Sequence, residues 1–185
     1  PIYIKNTFNP SAPGTRISDD TQTEAERKAL KGISSISDTC LITIAGEAVA
    51  DSSARIFNEM ARNGVGVFLV SQADNGCMSF AVRNADAEIT LNALREEFAT
   101  EIQSGDVADI VAREGLATVA VIGVDMKQRT EVTEGLYDVF AAKGVNVVAG
   151  APGASELNMS FVVELDCLKS AIAAIHDTFF AAKES

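Results

Sequence analysis

Met78-Ser79-Phe80-Ala81-Val82 returns 81 residues later as Met159-Ser160-Phe161-Val162-Val163, and this repetition decides the fold. Gly64-Val65-Gly66-Val67 returns 80 residues later as Gly144-Val145-Asn146-Val147, and Phe98 finds its counterpart 81 residues on in Phe179. An offset held nearly constant across strands, turns and helices marks a duplicated unit, not a chance agreement of apolar positions.

Working outward from the first copy, Leu41-Ile42-Thr43-Ile44-Ala45 reads as a strand stopped by Gly46. Asp51 and Ser52 are placed to cap a helix with Ile56, Phe57, Met60 and Ala61 on one face, and Asn63-Gly64 ends it. Val65 to Ser71 and Met78 to Val82 read as a strand pair around the turn Ala73-Asp74-Asn75-Gly76. A helix with Leu91, Leu94, Phe98 and Ile102 inward follows. The second copy runs Thr118 to Val124, a Thr130-capped helix with Val132, Leu136, Val139 and Phe140, then Val145 to Ala149 and Asn158 to Val163 around Pro152-Gly153. It closes on an Asp166-capped helix with Leu168, Ile172, Ile175 and Phe179 inward.

Each copy lacks one strand of a split βαβ, or βαββαβ, layout. Asp106 to Arg113 can complete the first, and Gly32 to Ile36 can cross over to complete the second. The expected class is therefore α+β: two ferredoxin-like units in tandem, the first inserted into the second. The expected boundaries are 1–31 for a preceding tail and linker, with a helical turn at Glu24 to Leu30, and 32–38 for the crossover strand. The first unit takes 39–115 and the second 116–185.

Composition narrows the function. The 185 residues are 47% hydrophobic and 22% charged, the balance of a chain with a real core. Net charge is −11, with 15 basic residues scattered among 26 acidic ones, which disfavours nucleic acid and anionic membranes as partners. Cys40, Cys77 and Cys167 are widely spaced and, with 1 histidine, offer no metal set and no disulfide framework. No signal peptide or bilayer-length apolar run stands out, so a cytoplasmic location is the default. No nucleophile–base pair or Gly-rich phosphate loop is present; Gly150-Ala151-Pro152-Gly153 lacks the lysine and helix such a loop needs. Glu96-Glu97 and Asp19-Asp20 read as solvated carboxylates, Asp125-Met126-Lys127 as loop, and His176 as a packing or capping residue.

The chain opens on Pro1-Ile2-Tyr3-Ile4-Lys5, alternating as a strand from the first residue, which reads as a fragment. The run from Pro1 through Asn9-Pro10-Ser11-Ala12-Pro13-Gly14-Thr15 resembles the segment that closes the kinase domain of aspartate kinases. Lys31-Gly32-Ile33-Ser34-Ser35-Ile36 resembles the strand opening their regulatory region, and the two copies resemble ACT domains. The resemblance implies a regulatory region that binds threonine or lysine, dimerises through ACT–ACT contacts and controls its own kinase domain. The catalytic residues of the family, with their ATP and Mg, precede Pro1. No cofactor is expected in this chain, and it is expected to be inactive alone. Both monofunctional kinases and fusions to homoserine dehydrogenase fit.

The resemblance also implies site residues. The effector surface lies between the loop bearing Asp51, Ser52 and Ser53 and the strand and turn bearing Val67, Phe68, Gln72, Asp74 and Asn75. Gln72 matches a glutamine that contacts effector in threonine-sensitive relatives; read alone, it is a solvated hairpin residue. A weaker second site takes Asn146, Gly150, Gly153, Ser155 and Glu156. Pro152 stands where the second unit would carry that glutamine, and it has neither an amide side chain nor an N–H. Phe68 stands where lysine-sensitive relatives carry an aspartate. The balance leans to threonine over lysine, with loss of effector binding as a third option. An assembly module with decayed pockets and a free-standing enzyme are the competing classes.

Overall fold

The computed structural model describes residues 2–17, 30–73, 76–123, 130–153 and 158–181. β1 (Ile2–Ile4) and β2 (Thr15–Ile17) form a separate antiparallel pair. Ile2, Tyr3, Ile4 and Phe8 of this hairpin segment are exposed. The main sheet has six strands: β3 (Leu30–Ala45), β4 (Leu69–Ala73), β5 (Cys77–Val82), β6 (Ile110–Gly123), β7 (Val147–Pro152) and β8 (Asn158–Glu164). Their order is β4-β5-β3-β6-β8-β7, antiparallel throughout. Five helices complete the fold, α1 (Ser53–Arg62), α2 (Ala87–Glu97), α3 (Ala99–Ser104), α4 (Thr130–Ala142) and α5 (Leu168–Phe179).

The pairs expected as four short strands are two long ones. Gly32–Ile36 and Leu41–Ala45 belong to β3, and 110–113 and 118–123 belong to β6. β3 pairs with β6 along almost its whole length, with register shifts around Thr39. Those irregularities break the alternation that a strand shows in sequence, so 37–40 reads locally as a break between two strands. Tertiary pairing carries the strand through them. Strand β5 takes only Cys40–Ala45 of β3, while β8 takes only Leu116–Ile122 of β6.

Alternation then sorts the side chains into three cores. Cys40, Ile42, Ile44, Met78, Phe80 and Val82 face Ile56, Met60, Leu94 and Phe98 of the helices. Ala117, Val119, Val121, Phe161 and Val163 face Leu136, Phe140, Ala171 and Ile175. On the opposite face, Leu41, Leu69 and Ala81 meet Leu116 and Val162, so the helix-free sides of the two halves close on each other. The edge strands β4 and β7 come into contact there.

Several helix ends differ from expectation. Ser52 occupies the N-cap position of α1, but its hydroxyl donates back to the Ala48 carbonyl at 2.5 Å and caps nothing. Asp166 lies in a single 3₁₀ turn, and Cys167 takes the N-cap position of α5. Thr130 is already the first residue of α4. Phe57 is border rather than core, and Ala61 is exposed. In α5, Leu168, Ile172 and Phe179 are only partly buried, and the buried residues are Ala171, Ala174 and Ile175. The Asn63-Gly64 stop behaves as read: Gly64 takes φ +68°, and the Val65 N–H bonds Met60 O at 2.9 Å.

Arg55 holds α1 against α2 and α3. Its Nε reaches Glu97 Oε1 at 2.7 Å, Nη1 reaches Glu101 Oε1 at 2.5 Å, and its guanidinium lies 4.3 Å from the Phe98 ring centre. Position 135, its counterpart in the second copy, is glycine, and there the Phe179 ring fills the space. The hydrogen bond from Arg55 holds the Glu101 carboxyl below its ordinary range. A depressed carboxyl pKa contributes stability above the unfolded value near ~4.3, lost as pH falls through the folded value. Urea midpoints of wild type and Arg55→Ala should therefore differ at neutral pH and converge in acid. A gap that persists unchanged below the glutamate range would reject the ion pair as its source.

Candidate functional site

The loop after β3 is set by close backbone approach. The Gly46 N–H bonds Gly76 O at 2.9 Å, and Ala48 N–H bonds Asp106 O at 3.3 Å. A Cβ on Gly46 would fall 2.2 Å from Asp106 O, and one on Gly76 2.4 Å from Gly46 O. Only paired glycines let the 46–52 loop lie against the start of β5. On that loop Asp51 is exposed and Val49 is buried as its anchor, and Ser53 begins α1.

Across the sheet, Val67 packs partly into the first core. The Phe68 N–H bonds Ala81 O at 3.1 Å, and its side chain enters the seam between the halves. Gln72 sits opposite Met78 on β4 with its side chain exposed.

The seam carries a concavity that several expected site residues line. A groove of about 480 Å³ runs between Val67–Val70 on one side and Ala151–Gly153 with Asn158 and Ser160 on the other. A smaller one of about 200 Å³ shares Phe68, Asn158 and Ser160 and adds Ser34, Ser35 and Thr118. Among the described residues no charged side chain lines either. Thr118 and Thr39 share a buried hydroxyl contact at 3.1 Å. The Asn158 Oδ1 is buried without a hydrogen-bond partner and lies where a Cβ on Gly153 would be, 1.5 Å away. Asn158 O also accepts the Gly153 N–H at 2.9 Å, so glycine here is what seats the asparagine. Hydroxyls, an amide and an aromatic wall recognise a ligand by hydrogen bonding and shape.

Among the described residues, titratable groups elsewhere show no convergent site. Burial, then the charge of Glu114, pushes the Cys40 thiol up and keeps it protonated. His176 is exposed on α5, stacked on Phe180. Among the described residues no group of His, Cys, Asp and Glu is placed to hold a metal ion, and no helix is long and apolar enough to cross a membrane.

Residues 119–179 match the ACT domain family model. Over its whole length the chain is 30% identical to the bifunctional aspartokinase/homoserine dehydrogenase of Haemophilus influenzae, covering 23% of that protein. The ligand-free regulatory subunit of aspartate kinase from Thermus thermophilus superposes with a TM-score of 0.71 at 25% identity, over 82% of this chain and 99% of that one. The chain is a homologue of aspartokinase regulatory regions. Aspartokinase III of E. coli in complex with lysine and aspartate shares the fold at TM-score 0.67 and 21% identity, over 86% of this chain and 35% of that one. The chain spans about a fifth of the length of the bifunctional relatives.

Against this aspartokinase frame, the expected site residues fall into separate places. Val67, Phe68 and Gly153 line the large groove, which thus draws on both expected sites. Asp51, Ser52 and Ser53 line neither groove described here. At Gly150 the side-chain direction points away from the seam, since a Cβ would meet the Tyr137 hydroxyl at 3.0 Å and the Phe161 ring at 3.5 Å. Asn146 is exposed just before β7. Asp74, Asn75, Ser155 and Glu156 lie outside the described residues, as do Asp125-Met126-Lys127 and Asp19-Asp20. Sequence reading missed Asn158, Ser160, Thr118, Ser34 and Ser35. Asn158 and Ser160 carried one signal, polar residues at alternate positions of an otherwise apolar strand.

Proposed function

We propose that this chain is the amino-acid-sensing regulatory part of an aspartokinase, and that ligand shifts an equilibrium between arrangements that a kinase domain reads. The observation that carries this reading is the likeness over 99% of a stand-alone aspartate kinase regulatory subunit. The exposed Ile2, Tyr3, Ile4 and Phe8 are consistent with a neighbouring kinase domain covering that hairpin. ATP and Mg belong to that domain, and aspartyl phosphate formation by this chain alone is not expected.

We read the architecture as two ACT-type units, 39–115 and 116–185, with 32–38 reaching across to complete the second and 1–31 leading in. Support comes from the pairing: Leu30–Ile36 borders β6, then β8 and β7, while 110–113 borders β3, then β5 and β4.

The effector is an amino acid, threonine or lysine. The described lining favours threonine, because a lysine ammonium placed there meets no carboxylate among the described lining residues. Isothermal titration with threonine, lysine and methionine should give heat with threonine; silence with all three removes sensing and leaves the fold. Pro152, exposed at the end of β7, and the inward Ser52 hydroxyl favour a second reading, an assembly module with decayed pockets. Sedimentation that gives a homodimer indifferent to all three amino acids is its mark.

A further inference from the structure

The two grooves of the seam meet at three side chains, Phe68, Asn158 and Ser160, which line both. Asn158 and Ser160 stand two residues apart on β8, so both face the helix-free side, while Met159 between them packs against the second core. Their ladder neighbours on that side are apolar. Ser160 lies between Ala120 of β6 and Ala151 of β7, and Asn158 lies beside Ile122 of β6. The middle of the seam therefore presents an amide and a hydroxyl set about 7 Å apart by the strand repeat.

The amide is the group that the fold itself leaves unused. Asn158 Oδ1 is buried and accepts no hydrogen bond among the described residues. Asn84 Oδ1 and Thr90 Oγ1 share that state, but neither residue lines the seam grooves. A buried carbonyl without a donor costs stability, and an apolar side chain of the same shape avoids that cost. The chain nonetheless gives the asparagine a fitted seat. The Gly153 N–H bonds Asn158 O at 2.9 Å, and a Cβ on Gly153 would fall 1.5 Å from Oδ1 and 2.4 Å from Cγ. Glycine at 153 thus accommodates an amide that packing does not need. A half-turn about χ2 exchanges the two ends of that amide and carries Oδ1 away from Gly153.

We propose that Asn158 and Ser160 together read an α-amino acid in the seam: Asn158 Oδ1 accepts from its ammonium, and the Ser160 hydroxyl donates to its carboxylate. Gly153 is a positioning residue, acting by seating the asparagine. The spacing of the pair suits a molecule whose two polar ends are held between them. Both readers are uncharged and address the ammonium and carboxylate that all amino acids share. The ligand side chain is left to Phe68 and the alanine-lined floor, which suit a small group and not a second charge. The inference rests on the reading of this chain as an amino-acid sensor and assigns that reading to residues of the second unit.

Calorimetric titration of the 185-residue chain with threonine, lysine and methionine tests it. Whichever of the three binds wild type, Asn158→Leu should weaken it by about tenfold or more, the effect of losing a hydrogen bond to a charged group. Asn158→Asp keeps an acceptor in the same place and should bind at least as well as wild type, since a carboxylate accepts strongly from an ammonium. Gly153→Ala should reproduce the leucine loss by displacing the amide, and the double variant should lose nothing further. Circular dichroism controls for folding. A wild type silent with all three amino acids removes the sensing reading and this inference with it. Binding that survives Asn158→Leu unchanged, or an aspartate variant as weak as the leucine one, overturns this inference alone. Losses that add in the double variant overturn the positioning role of Gly153.

Discussion

Phe161→Ala should lower stability by about 4 kcal/mol, the range for deleting a buried phenylalanine ring, and shift the thermal midpoint down by roughly 8–16 °C. Phe161 has no solvent exposure and carries edge-on contacts to Phe140 at 5.1 Å and Tyr137 at 5.4 Å. The ring also lies against Gly150, which leaves no side chain able to swing into the cavity. The loss should appear in one cooperative transition, because β3 and β6 run through both halves and neither half keeps its full sheet alone. Calorimetry checks both points. Two resolved transitions, or a loss below about 1 kcal/mol, would contradict the coupled core.

The second large effect is expected at Gly46→Ala. The new methyl would overlap Asp106 O at 2.2 Å and the Val107 Cα at 2.6 Å, both backbone atoms. Relief requires moving the loop off Gly76 and Asp106, breaking the Gly46–Gly76 and Ala48–Asp106 hydrogen bonds. Adding lost bonds to backbone strain gives about 3 kcal/mol, measurable as a lower urea midpoint at unchanged slope. The same displacement moves Asp51 relative to β4, so threonine affinity should fall if the loop contributes to the site. Gly64→Ala is the control: φ there is +68° with open space around the Cβ position, so the cost should stay near 1 kcal/mol.

The repeat in the sequence is legible because core positions recur in kind. Phe80 and Phe161, Val65 and Val145, and Phe98 and Phe179 occupy matching places, and all but Phe179 are buried. The same reading failed at caps. Ser52 has the right chemistry for an N-cap, yet the nearby Ala48 carbonyl takes its hydroxyl. It also placed its candidate site residues mostly on loops, while a groove flanked by three of them runs through the helix-free seam.

Sequence periodicity alone determined the recurring strand motifs and most of the helix faces, because burial imposes its period on the residues themselves. Only the tertiary structure decided that four short strands are two long shared ones, that Gly150 turns toward Tyr137, and that Asn158, Ser160 and Thr118 meet Phe68. These outcomes depend on strands far apart in the chain finding a register and on two sheet faces closing together. No local pattern of side chains encodes either event.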